Sequence, residues 1–83
     1  MTFWERYQKA EFWYEKVILI ELYHLARTRT NKDWTLADTA QDFSISIGLV
    51  SENLRIADAM HKDSRVLNCK TRQDALKIAE RLK

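Results

Sequence analysis

The chain predicts an all-α protein, a small domain of four to five helices, and three observations predict it. Proline is absent and glycine occurs once, so almost nothing along 83 residues interrupts a helix. Leu, Ala, Glu, Lys and Arg, all strong helix formers, are abundant. No stretch alternates strictly between apolar and polar residues, the pattern a half-buried strand requires. At 46% apolar and 31% charged residues, this length suits one domain with a modest core, spanning residues 1–83.

The first element reads as one long helix over residues 3–28. It contains no breaker, and apolar residues recur at Tyr7, Ala10, Tyr14 and Val17 and again at Ile18, Leu22 and Leu25. Phe3, Trp4, Phe12 and Trp13 add to this and make the apolar surface wider than a single seam. A polar, basic connector follows, from Thr28 to Asp33. The second helix is expected over residues 36–43, with Thr35 as N-cap and Asp38 reaching back in a capping box. Ser46 is the next good N-cap, and Ile45 and Val50 occupy the positions of a hydrophobic staple, so a third helix is expected over residues 47–59. After a polar interval with Val66 and Leu67 as a small anchor, Thr71 and Asp74 repeat the capping pattern. They open a last amphipathic helix over residues 72–82, with Ala75, Leu76, Ile78, Ala79 and Leu82 on its apolar face.

Several function classes recede on composition. A lone Cys69 has no cysteine to bridge to, which points to a reducing interior. The longest apolar run, Val17 to Ile20, is far too short to span a bilayer, and the first residues lack a secretory pattern, so no membrane and a cytoplasmic location are expected. His24, His61 and Cys69 form neither a metal-ligand set nor a nucleophile and base pair. No catalysis, no cofactor and no small-molecule substrate are expected. The net charge of +2 is unevenly spread: residues 1–26 carry three basic and four acidic side chains, a balance of −1, and residues 27–83 carry 11 and 8, a balance of +3.

The serine-containing break of about three residues between the second and third helices favours the steep crossing of a helix-turn-helix. Ala40, Phe43, Ile45, Val50 and Leu54 are placed to meet in one core. Ser46, Ile47, Gly48, Ser51, Glu52 and Arg55 then fall on the outer face of the third helix, short side chains near its start and long ones further along. That profile suits entry of the first turns into a DNA major groove, with Arg55 reaching a base or a phosphate. Thr35, Arg29 and Lys32 are the accompanying candidates for backbone contact, and Arg27, Lys62, Arg65 and Lys70 could touch phosphates too. Gly48 permits close approach of a DNA backbone or is simply tolerated there. Glu52 either accepts from a cytosine amino group or, the preferred reading, orients Arg55 one turn away.

Residues Ala40-Gln-Asp-Phe-Ser-Ile-Ser-Ile-Gly-Leu-Val50-Ser-Glu-Asn-Leu-Arg-Ile resemble the helix-turn-helix of the ParB and KorB partition and repressor proteins. There a small residue, a turn with serine and then Val-Ser-x-x-Leu-Arg-Leu recur. The resemblance covers roughly residues 20–60, with Lys70-Thr-Arg-Gln-Asp-Ala-Leu loosely similar to the helix that follows in that family. It implies sequence-specific binding of double-stranded DNA through residues 46–55, by a small regulator or partition-like protein associated with the nucleoid. Ser44 stands where a turn glycine is usual and Asn53 where an apolar residue is common. The family's nucleotide-binding domain has no room in these residues, so a nucleotide-driven clamp is not implied.

One recognition helix reads few base pairs, and a homodimer would read two half-sites. The aromatic surplus of the first helix, Phe3, Trp4, Tyr7, Phe12 and Trp13, is the expected dimer interface. A different reading keeps the same helices as a protein-binding adaptor that works through its aromatic first helix, with the helix-turn-helix as scaffold.

Overall fold

The computed structural model describes residues 2–81, among which it holds five α-helices, one 3-10 segment and no strand. The helices are α1 (Phe3–Lys9), α2 (Trp13–Thr30), α3 (Leu36–Phe43), α4 (Ile47–Lys62) and α5 (Arg72–Arg81), with the 3-10 segment at Ser64–Asn68. Leu82, expected to close the last helix, lies outside the described residues. Helix α4 is the hub: α2, α3 and α5 all pack on it. No described helix is long and apolar enough to cross a membrane.

The single helix expected over residues 3–28 is instead two. Ala10 and Phe12 adopt extended backbone, and the chain turns back on itself between α1 and α2. An unbroken helix of that length would run about 39 Å, beyond the longest 31 Å dimension of the molecule. Breaking it lets α1 fold over α2 and α3. Tyr7 is thereby buried, its ring edge-on to Phe43 at 5.4 Å between centroids, and Phe3 meets Tyr23 in the same manner at 5.4 Å. The Lys16 ammonium lies over the Tyr7 ring at 5.1 Å. Thr2 caps the short helix by accepting from the Glu5 N–H at 3.1 Å. Aromatic burial outweighs the helix propensity of three residues that contain no breaker.

The core has two parts, to each of which α2 and α4 contribute. At one end Tyr7, Ile20, Ala40, Phe43 and Val50 are buried together, with Ile45 and Leu54 packed against them, so the five residues expected to meet do meet. At the other end Val17, Ile56, Ala57 and Ala59 pack with Val66 and with Ala75, Leu76 and Ala79 of α5. Trp13 closes that end, its indole N–H donating to the Cys69 carbonyl at 3.0 Å. The capping box at the start of α3 is complete: the Asp38 N–H donates to Thr35 Oγ1 at 3.2 Å, and the Thr35 N–H donates to Asp38 Oδ2 at 2.9 Å.

Candidate nucleic-acid interface

The segment from Leu36 to Lys62 is a helix, a three-residue turn and a longer helix, and its local chemistry explains why the turn is tight. The Ile45 N–H donates to the Ala40 carbonyl at 3.0 Å and the Ser44 N–H to the Gln41 carbonyl at 3.2 Å, the hydrogen-bond pair of a Schellman ending. That ending needs a left-handed residue, and Ser44 supplies it at φ 57° and ψ 41°. A glycine would adopt this backbone without cost, whereas a side-chain-bearing residue pays roughly 1–2 kcal/mol. Ser46 then caps α4, its Oγ accepting from the Leu49 N–H at 3.0 Å.

The outer face of α4 opens with Ile47, 52% exposed despite being apolar, followed by the exposed Gly48. A Cβ added at Gly48 would meet only Ser46 Oγ, at 4.0 Å, so internal packing does not require glycine. Ser51 is half-buried one turn on, and Arg55 is exposed with no hydrogen-bond or ion-pair partner among the described residues. The first turn of α4 carries no acidic residue, leaving the positive end of its dipole uncompensated.

Glu52 departs from the preferred expectation, that it orients Arg55. Its carboxylate accepts from the Arg72 guanidinium at 2.7 Å, so it holds α5 rather than orienting Arg55. The same guanidinium donates through Nε to Asn53 Oδ1 at 2.8 Å, and Asn53 is a buried residue. Two features of the sequence mark Arg72, each indirectly. It is a cation in the first turn of a helix, where the dipole disfavours it, and Asn53 is a polar residue at a core position.

Thr35 is exposed, with its hydroxyl engaged in the cap of α3. That hydroxyl donates to Asp38 Oδ2 at 3.1 Å while accepting the Asp38 N–H at 3.2 Å. Arg29 and Lys32 are exposed at the end of α2 and in the connector, unpaired among the described residues. Lys70 is exposed as well. Lys62 pairs with Asp58 at 2.9 Å, and Arg65 with Asp63 at 2.8 Å. Arg27 is held between two rings, 5.2 Å from the Tyr23 centroid and 5.4 Å from that of Trp34.

Behind this surface the connector is tied to α2 and α3 through one buried hydroxyl. Thr39 Oγ1 accepts from the Trp34 indole N–H at 2.8 Å and lies 2.7 Å from His24 Nδ1. Burial lowers the His24 pKa below its ordinary 6.5. The ring is then neutral at pH 7, and Thr39 can donate to an unprotonated Nδ1. Burial raises the Tyr7 phenol, against the opposing pull of the Arg72 cation.

Comparison of the chain with protein-family models, with curated proteins and with solved structures returns no match.

Of the five aromatic residues expected at a dimer seam, the fold takes three away. Tyr7 is 8% exposed, Trp13 is pinned to Cys69 and Phe3 packs on Tyr23. Only Trp4 and Phe12 remain exposed. Phe3 and Tyr7 are taken up by folding α1 back, and Trp13 by closing the α5 end of the core.

Proposed function

We propose that this chain binds double-stranded DNA, with α3 and α4 as a helix-turn-helix and the first two turns of α4 entering the major groove. The observation that carries the reading is the outer face of α4. Ile47, Gly48, Ser51 and Arg55 project from a capped and tightly connected helix start, and Arg55 lacks an internal partner. Ser46 belongs to this end as its cap. Arg29 and Lys32 supply phosphate contacts, and Glu52 supports the face from behind by fixing α5. The ParB and KorB resemblance of residues 40–56 agrees with this placement, and the biological role it suggests is a small transcriptional regulator or partition-like protein at the nucleoid.

The test is selection of bound sequences from random duplexes, followed by titration of the selected site across a range of salt concentrations. A DNA-binding protein loses affinity linearly in log salt as condensed counterions are released. Failure to enrich any sequence, together with capture of a protein partner whose affinity ignores salt, would favour the adaptor reading through Trp4 and Phe12.

A further inference from the structure

Helix α2 is apolar on two sides. Val17 and Ile20 are fully buried, whereas Ile18, Leu22 and Leu25 are 37%, 51% and 46% exposed. At 100° per residue the second set points roughly 140° away from the first. A helix apolar all round is ordinarily covered all round.

The exposed residues belong to a longer register. Glu15, Ile18, Leu22, Leu25 and Arg29 are spaced three, four, three and four residues apart, the alternation of a coiled-coil seam. An acid stands at one end, a base at the other, and Leu22 lies seven residues from each. Glu15 and Arg29 have no ion-pair partner among the described residues. Shallow grooves flank Ile18 on both sides, one bordered by Arg6, Lys9 and Ala10, the other by Met60, His61 and the exposed Leu67.

From this we infer that α2 is the interface for a second copy of this chain, packed antiparallel about a two-fold axis at Leu22. That arrangement sets Leu22 on Leu22, Ile18 beside Leu25, and Glu15 beside Arg29 at both ends. A parallel pairing would place Glu15 on Glu15 and Arg29 on Arg29, so the charges choose the orientation, and antiparallel helix dipoles agree. The seam runs about 21 Å from Glu15 to Arg29, two-thirds of the molecule's longest 31 Å dimension. A standard interface covers about 800 Å² per partner, a seventh of this chain's 5699 Å² surface. None of the outer residues of α4 from Ser46 to Arg55 borders either groove, so the seam leaves that face of α4 uncovered; of the proposed DNA contacts it engages only Arg29.

Sedimentation equilibrium of the full chain without DNA, from micromolar to millimolar concentration, tests this apart from the DNA reading. The expected result is a monomer–dimer equilibrium that Leu22→Glu abolishes while circular dichroism keeps its helical signal, since Leu22 is exposed. Glu15→Arg and Arg29→Glu should each weaken association about tenfold by turning two attractions into two repulsions. The double variant should restore it. A strict monomer throughout, a dimer indifferent to Leu22→Glu, or a double variant no tighter than the singles would each overturn the inference.

Discussion

Arg72 Nε donates to Asn53 Oδ1 at 2.8 Å across 19 residues of sequence, joining the first turn of α5 to the buried side of α4. Its terminal nitrogen takes Glu52 at 2.7 Å in the same reach. One guanidinium thus satisfies the polar residue Asn53 inside an apolar helix face and neutralises a carboxylate beside it. Removing Arg72 leaves Asn53 without that donor, a loss of about 1–3 kcal/mol. Urea unfolding of Arg72→Ala should show this destabilisation with an unchanged slope.

Ser44 makes the opposite prediction. Its left-handed backbone is imposed by the Schellman turn, and the residue carries a Cβ that glycine would lack. Ser44→Gly should raise stability by about 1 kcal/mol, the relief of left-handed crowding outweighing the added freedom of the unfolded chain. A thermal melt checks the sign.

Gly48 separates the needs of the fold from those of the interface. Space for a methyl group exists, so Gly48→Ala should stabilise α4 by up to about 1 kcal/mol. If the DNA backbone approaches closely at this point, the same substitution weakens binding to the selected site. Rising stability with falling affinity is the expected pair of results, read by melting and by fluorescence anisotropy.

His24 makes the fold sensitive to acid. Its pKa is lower when folded than the ordinary 6.5, so between the two values the unfolded chain binds more protons. The stability associated with a neutral His24 is complete above pH 6.5 and declines as pH falls through the folded value. His24→Asn, which retains an acceptor for Thr39, should flatten the melting temperature across that window.

Arg55 and Lys32 should fail differently. Arg55→Ala is expected to cost about 1–3 kcal/mol on the selected site and much less on random duplex, whereas Lys32→Ala should weaken both alike and reduce the salt slope by roughly one. Ser51→Ala should follow Arg55. Anisotropy titrations at several salt concentrations distinguish the two patterns.

The sequence by itself determined the elements whose signals are local. The caps at Thr35 and Ser46, the staple of Ile45 and Val50, and the helical periodicity of residues 36–43 and 72–81 act within a few residues of one another, and all appear in the folded chain. The five-residue core around Phe43 was legible for the same reason, because helix spacing fixes which side chains share a face. Only the tertiary structure decided the break between Lys9 and Trp13, the turning of Glu52 from Arg55 to Arg72, and the burial of Tyr7. Each depends on residues tens of positions apart. Tyr7 finds Phe43 and Asn53 finds Arg72 only once α2 and α4 are packed, and the burial gained there exceeds the local preference of the chain to continue a helix.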